Sequence, residues 1–225
     1  MILLAIDTAS TLCAACVYDS AAGKELGRTV LDLGKGHAEH LIDVVHDAMA
    51  QAGVDFPALE RIAVAVGPGS FTGVRVGVSA ARGFAMALKI PAVGVTTLEA
   101  IAAEAREVFG ARTAMAALDG GRGEIHAAIY DETGREIVGP AAMGLAEAAA
   151  LARNHAPLLV GSAAATVAEE ADTGLELGST GATADIRFYA TLGATKQAGE
   201  KPKPLYLREA DAKPQAGFVL PRIPS

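Results

Sequence analysis

The stretch "LLAIDTASTLCAACVYDSAAGKEL", residues 3–26, has a counterpart in "MAALDGGRGEIHAAIYDETGREI", residues 115–137. Asp7 precedes Asp19 by twelve residues, and Asp119 precedes Asp131 by the same twelve. Tyr18-Asp19 matches Tyr130-Asp131, and Gly23-Lys24-Glu25 matches Gly134-Arg135-Glu136 with a slip of one residue. Each copy reads as an apolar strand, a tight turn after the aspartate, a second strand and another turn, because runs of β-forming residues alternate with Asp, Ser and Gly. Two such hairpins at matched spacing predict two lobes of common design, produced by duplication.

The segment between the copies alternates. A helix is predicted over about 37–52, a strand over 61–66, a glycine-rich turn, a helix over about 74–88 and a strand over 92–95. Thr96 followed by Glu99 forms a capping-box pattern that opens a further helix to about Val108. Strands alternating with helices after an opening hairpin predict an α/β fold with mixed sheets flanked by helices. Beyond the second hairpin, a helix over 145–154, a strand over 157–161, a loop at 178–184 and a helix over 185–197 are expected. The expected division is a first lobe over 1–104, a second over 105–208, and a flexible tail over 209–225 with prolines at 214, 221 and 224.

A chain of 225 residues is long enough to bury a core without metal or disulfide staples. Its net charge of -7 opposes unaided nucleic-acid binding, which depends on Lys and Arg displacing counterions. The start "MILLAIDTAS" lacks the basic flank of a signal peptide and the length of a membrane span. Cys13 and Cys16 fall in a strand at odd spacing, which points the two thiols to opposite faces and favours a structural role in a reducing cytoplasm.

"AVAVGPGSFTGVRVG", residues 63–77, runs from strand through glycines into helix, the plan of an anion site. It has no lysine after its last glycine, so it is not a Walker loop, and Gly73 arrives one position late for the dinucleotide fingerprint. The helix behind it is poor in bulk, and Gly77 and Gly83 within it suggest a packing reason, since interior glycine costs about 0.5–1 kcal/mol relative to alanine. Arg75, Arg82 and Lys89 recur every seven residues along it, while Glu39, Asp43 and Asp47 recur every four along the earlier helix. On that earlier helix Ala38, Leu41, Ile42, Val45, Ala48, Met49 and Ala52 make one apolar face, with Val44 off the stripe. Pattern alone leaves two uses open, a broad core face or a helix-pair docking surface. His37, His40 and His46 are read as solvent-facing rather than as a metal cluster, and no G-x-S-x-G or H-E-x-x-H supports peptidase chemistry.

"HAEHLIDVV", "VAVGPGSFTGVRVGVSAARGFAMAL", "GVTTLEAIA", "DGGRGEIHAAIYD" and "PLYLR", with the opening "LLAIDTAS", resemble the TsaB family of the bacterial threonylcarbamoyladenosine tRNA-modification complex. The resemblance implies an actin-like, two-lobed fold of the sugar-kinase and Hsp70 type. It also implies a non-catalytic scaffold that binds and activates the catalytic subunit TsaD, is joined by the ATPase TsaE, and meets tRNA only through the complex. In TsaD the segment matching "GVTTLEAIA" carries metal-binding histidines, where this chain has Thr97 and Ile101, so no metal or catalytic residue is expected here. The phosphate turn of actin-like ATPases has a glycine where Asp7-Thr8-Ala9-Ser10 has alanine, and Gly120 and Gly121 depart from the family's usual second turn. No cofactor is expected beyond weak nucleotide contact at Asp7, Ser10, Gly69 and Asp119. The interface expected from the resemblance uses the first two long helices, through Leu41, Ile42, Val45, Met49, Arg75, Val78, Arg82 and Met86, and the same surface would pair two copies when the partner is absent. The rival expectation is a small actin-like ATPase or kinase acting through Asp7 and Asp119.

Overall fold

The structure, a computed structural model, describes residues 1–207; the expected tail and Arg208 lie outside the described residues. The duplicated hairpins build two sheets of the same plan. In the first, β1 (Ile2–Asp7), β2 (Leu12–Asp19) and β3 (Lys24–Asp32) form an antiparallel meander, extended on the other side of β1 by β4 (Arg61–Ala65) and β5 (Ala92–Val95), in the order β3-β2-β1-β4-β5. In the second, β6 (Ala114–Gly121), β7 (Glu124–Tyr130) and β8 (Glu136–Gly144) repeat the meander, and β9 (Leu158–Val160) pairs parallel to β6, giving β8-β7-β6-β9. β1 and β4 are likewise parallel, with Leu3 opposite Arg61 and Ile6 opposite Val64. The third strand of each meander was not separately expected.

The helices are α1 (His37–Ala52), α2 (Phe71–Leu88), α3 (Thr97–Phe109), α4 (Leu145–His155), α5 (Ala164–Ala171) and α6 (Ile186–Thr195). α1 and α2 cover one face of the first sheet and α6 the other. Period-two alternation in β4 shows why: a Cβ on Gly77 of α2 would meet Val64 at 3.5 Å, whereas Gly193 of α6 lies against the Cβ of its neighbour Ala63. α3 packs between α6 and the second sheet, and α4 with α5 closes that sheet's far side. The capping box holds: Thr96 Oγ1 accepts from the Glu99 amide at 3.1 Å while Glu99 Oε2 accepts from the Thr96 amide at 3.2 Å. A lobe boundary after 104 therefore falls inside α3, and α6, assigned by sequence to the second lobe, lies on the first sheet.

α6 is held there by cations at both ends. Arg28 on β3 donates to both carboxylate oxygens of Asp185, the N-cap of α6, at 2.6 and 2.9 Å. Arg61 Nη1 donates to the carbonyls of Gly193, Ala194 and Lys196, satisfying the acceptors that a helix C-terminus leaves over. No helix among the described residues is long and apolar enough to cross a membrane. Cys13 and Cys16 are buried free thiols, and burial pushes the Cys13 thiol up to about 11.

Candidate functional site

The glycine-rich turn sits between β4 and α2, and α2 starts at Phe71, three residues earlier than the pattern suggested. Ser70 explains the early start, because its hydroxyl accepts from the Gly73 amide and caps the helix. What the glycines hold is main chain. The Ser70 amide donates to the Ala9 carbonyl at 2.7 Å, and Thr8 Oγ1 donates to the Gly73 carbonyl at 2.7 Å. A Cβ on Gly69 would collide with the Ala9 carbonyl, one on Gly73 with the Thr8 carbonyl, and one on Gly77 would lie 2.5 Å from Thr8 Oγ1. Gly83 has nothing within 4 Å of its Cβ position, so no neighbour among the described residues accounts for it.

The turn that these glycines admit begins at Asp7, which is 2% exposed. Its carboxylate accepts from the Ala9 amide at 2.8 Å and from Thr183 Oγ1 at 2.6 Å, and Thr183 Oγ1 shares a 2.6 Å bond with the Tyr189 hydroxyl. Burial raises the Asp7 carboxyl above the ordinary carboxylate range, against the pull of the Thr183 and Ala9 bonds and the nearby His37. Asp7, Ser10 and Gly69 thus meet at one turn, with Ser10 Oγ accepting from the Leu12 amide at 3.3 Å. Asp119 belongs to the equivalent turn of the second sheet, where it is exposed, accepts from the Gly121 amide at 2.8 Å and takes its own amide to Ser162 Oγ. The sequence placed Asp7 but gave no sign of Thr183, which lies 176 positions away.

α1 and α2 lie side by side, and a groove of about 440 Å³ runs between them, lined by Ala38, Leu41, Ile42, Thr72, Arg75, Val76, Ser79 and Ala80. The expected interface residues divide by burial. Leu41, Val45, Met49 and Val78 are buried in the chain's own core, so their side chains are committed inward; Ile42, Arg75, Arg82 and Met86 face out, Ile42 and Met86 being 58% and 77% exposed. The apolar face of α1 is also rotated relative to the expected stripe, since Val44 is buried and Ile42 is not. The sheet takes the arc of His37, Leu41, Val44, Val45, Ala48 and Met49, and leaves Ala38 and Ile42 on the α2 side. His37 is therefore buried rather than solvent-facing, and its Nε2 has no hydrogen-bond partner among the described residues, while His40 and His46 are exposed. Among the described residues no three His, Cys, Asp or Glu side chains converge to hold a metal ion.

The charged stripes stay apart. Glu39, Asp43 and Asp47 on α1 are exposed, as are Arg75, Arg82 and Lys89 along α2, and among the described residues no ion pair joins one set to the other. A cluster that the sequence did not reveal lies at the groove's mouth: residues before 207 return beside the glycine turn, with the Leu205 amide donating to Val66, and bring Tyr206 to α2. The Arg75 guanidinium stacks 3.6 Å over the Phe71 ring, and its Nε donates to the Tyr206 hydroxyl at 2.8 Å. Thr97 and Ile101 are both buried in α3.

Comparison with known proteins follows the same lines. The family described as TsaD, tRNA N6-adenosine threonylcarbamoyltransferase, matches residues 32–212. The tRNA threonylcarbamoyladenosine biosynthesis protein TsaB of Escherichia coli is 34% identical over 139 residues, which is 60% of this chain and 58% of that protein; the chain thus aligns with little more than half of that relative. A crystal structure of an uncharacterized protein with similarity to peptidase YEAZ from Pseudomonas aeruginosa superposes with a TM-score of 0.79 at 27% identity, covering 92% of this chain and 99% of that one. YeaZ from Pseudomonas aeruginosa gives 0.72 at 26% identity over 86% and 92%. The inorganic polyphosphate/ATP-glucomannokinase of Arthrobacter shares the fold alone, at 0.50 and 15% identity over 86% of this chain and 98% of that one. The chain has the actin-like fold of the sugar kinases and belongs to the TsaD-type tRNA N6-adenosine threonylcarbamoyltransferase family, within which it is a protein of the TsaB/YeaZ type.

Proposed function

We propose that this chain is a non-catalytic scaffold subunit in the formation of N6-threonylcarbamoyladenosine beside the tRNA anticodon. It docks through α1 and α2 onto a catalytic TsaD-type subunit, the pair is joined by a TsaE-type ATPase, and tRNA is met only through the assembly. Without the partner, two copies pair through the same helices. The observation that carries this reading is the α1–α2 surface. Ile42 and Met86 stand in water on adjacent helices, beside acidic and basic stripes that make no ion pair with each other among the described residues. Exposed apolar side chains rimmed by charge are what an interface presents before it is covered.

The turn at Asp7 supports the non-catalytic part. Its backbone is packed against the head of α2, and its carboxylate is engaged by Thr183 and Ala9. Light scattering on a sizing column, with the chain alone and then mixed with the TsaD-type protein of the same organism, tests the proposal. Conversion of a homodimer into a one-to-one mixed species is the expected result. No mixed species, even with the TsaE-type protein and ATP present, overturns it and makes the chain's own ATP turnover the next measurement.

A further inference from the structure

We infer that Arg75 is a preorganised receptor for one carboxylate of the docking partner, held in place by Phe71 and Tyr206; this rests on the docking reading above. An exposed arginine ordinarily samples many rotamers, and ordering it costs binding free energy. Here the guanidinium lies 3.6 Å over Phe71 and 5.6 Å from the Tyr206 ring, and Nε is fixed on the Tyr206 hydroxyl. Phe71 and Tyr206 remain 59% and 54% exposed, so they brace the arginine without burying it. Arg75 makes no ion pair among the described residues, which leaves the Nη1/Nη2 end to receive an acceptor. A planar fork with two parallel donors matches a carboxylate bidentately, and a lysine in its place would not.

The surroundings choose among acceptors. Arg75 lines a groove whose other walls include Leu41, Ile42, Val76 and Ala80, so the seat beside it suits apolar side chains. Exposed Glu39 and Asp43 lie on the helix opposite, and the whole chain carries a net charge of -7, a field that repels a polyanion. The occupant that fits is a helix of the partner protein bearing one Asp or Glu among apolar residues. An aromatic-braced arginine beside an apolar seat has the composition of a binding hot spot.

The test uses the full chain and the TsaD-type protein, with affinity and dissociation rate measured for wild type, Arg75→Lys, Arg75→Gln, Tyr206→Phe and Arg82→Gln. Arg75→Lys is expected to weaken the complex about tenfold or more, chiefly in dissociation, and to do nearly as much damage as Arg75→Gln. Tyr206→Phe should weaken it several-fold in the wild-type background and not at all in Arg75→Gln, because the tyrosine acts through the arginine. Replacing the partner's acids singly by amides should find one whose loss is likewise silent in Arg75→Gln. Arg75→Lys binding like wild type, or Tyr206→Phe losing equally in both backgrounds, overturns the inference while leaving the scaffold reading intact. A defect that appears only when tRNA is added assigns the fork to phosphate and also overturns it. Failure of the wild-type pair to associate overturns both.

Discussion

The amide of Ser70 donates to the carbonyl of Ala9 across 2.7 Å, so the head of α2 is met by the main chain of the β1–β2 turn. In an anion-binding loop that amide would point at the ligand. Here the contact explains why glycines stand where they do, since side chains at 69 and 73 would drive the two backbones apart.

Gly73→Ala is accordingly expected to destabilise the fold by about 1–3 kcal/mol or more, because backbone rather than a movable side chain receives the new methyl. Gly83→Ala, with open space around it, should instead raise stability by about 0.5–1 kcal/mol through helix propensity. Urea midpoints of the two variants measure both, and a similar sign for the pair would contradict the packing described.

Burial separates two kinds of damage on α1. Leu41→Ala removes a side chain that is 2% exposed and should cost about 2–5 kcal/mol of fold stability. Ile42→Asp, one position on, should leave the thermal midpoint nearly unchanged at concentrations where both proteins are monomeric, while weakening self-association and partner binding about tenfold or more. Calorimetry and light scattering on the two proteins distinguish these outcomes.

The two acids tied to the segment before α6 respond to pH with opposite sign. Burial by itself would raise the Asp185 carboxyl, but the Arg28 bonds and the Arg187 amide more than reverse it, so the group titrates below its ordinary 3.8. Its stabilisation is fully present above that value and is lost as pH falls through the lower folded value. Asp185→Asn should therefore lose stability at neutral pH and show a shallower decline in acid. Burial pushes Asp7 upward, so its folded form holds the proton longer than the unfolded chain, and its contribution falls as pH rises through the elevated value. The stability of Asp7→Asn relative to wild type should increase with pH. Chemical denaturation across an acid-to-neutral series reads both slopes.

Arg61→Ala should fray the end of α6, since one Nη1 serves three carbonyls there. Loss of amide-exchange protection confined to about the last turn, with a cost of about 1–3 kcal/mol, is the expected outcome. Protection unchanged at residues 193–196 would show that water replaces the guanidinium without penalty.

Much of this architecture can be read from the chain because its signals are local or repeated. The matched spacing of Asp7 and Asp119 predicts two sheets of one plan, and Thr96 with Glu99 fixes the start of α3. The errors arise where tertiary contact decides. Periodicity gives α1 an apolar face but not its width, so Ile42 and Val44 exchange roles once the sheet is in place. A glycine-rich run conceals the first turn of α2 until Ser70 is recognised as its cap. α5 is only eight residues long and opens at Ala163 with no side-chain cap, so the sequence carries no start signal for it. Thr183 on Asp7 and Tyr206 on Arg75 join residues 176 and 131 positions apart, and no local pattern encodes such meetings.

The seat of α6 sets an order of events for a chain made from its N-terminus. Ala63 and the other residues on that face of the first sheet are finished early in synthesis, yet the helix that covers them ends at Thr195. On the ribosome the first sheet must wait, one side bare, through the whole of the second hairpin and α4. The intervening lobe is in effect an insertion into the first, and a fragment ending at residue 180 would carry every strand of both sheets and still lack the lid of its larger core.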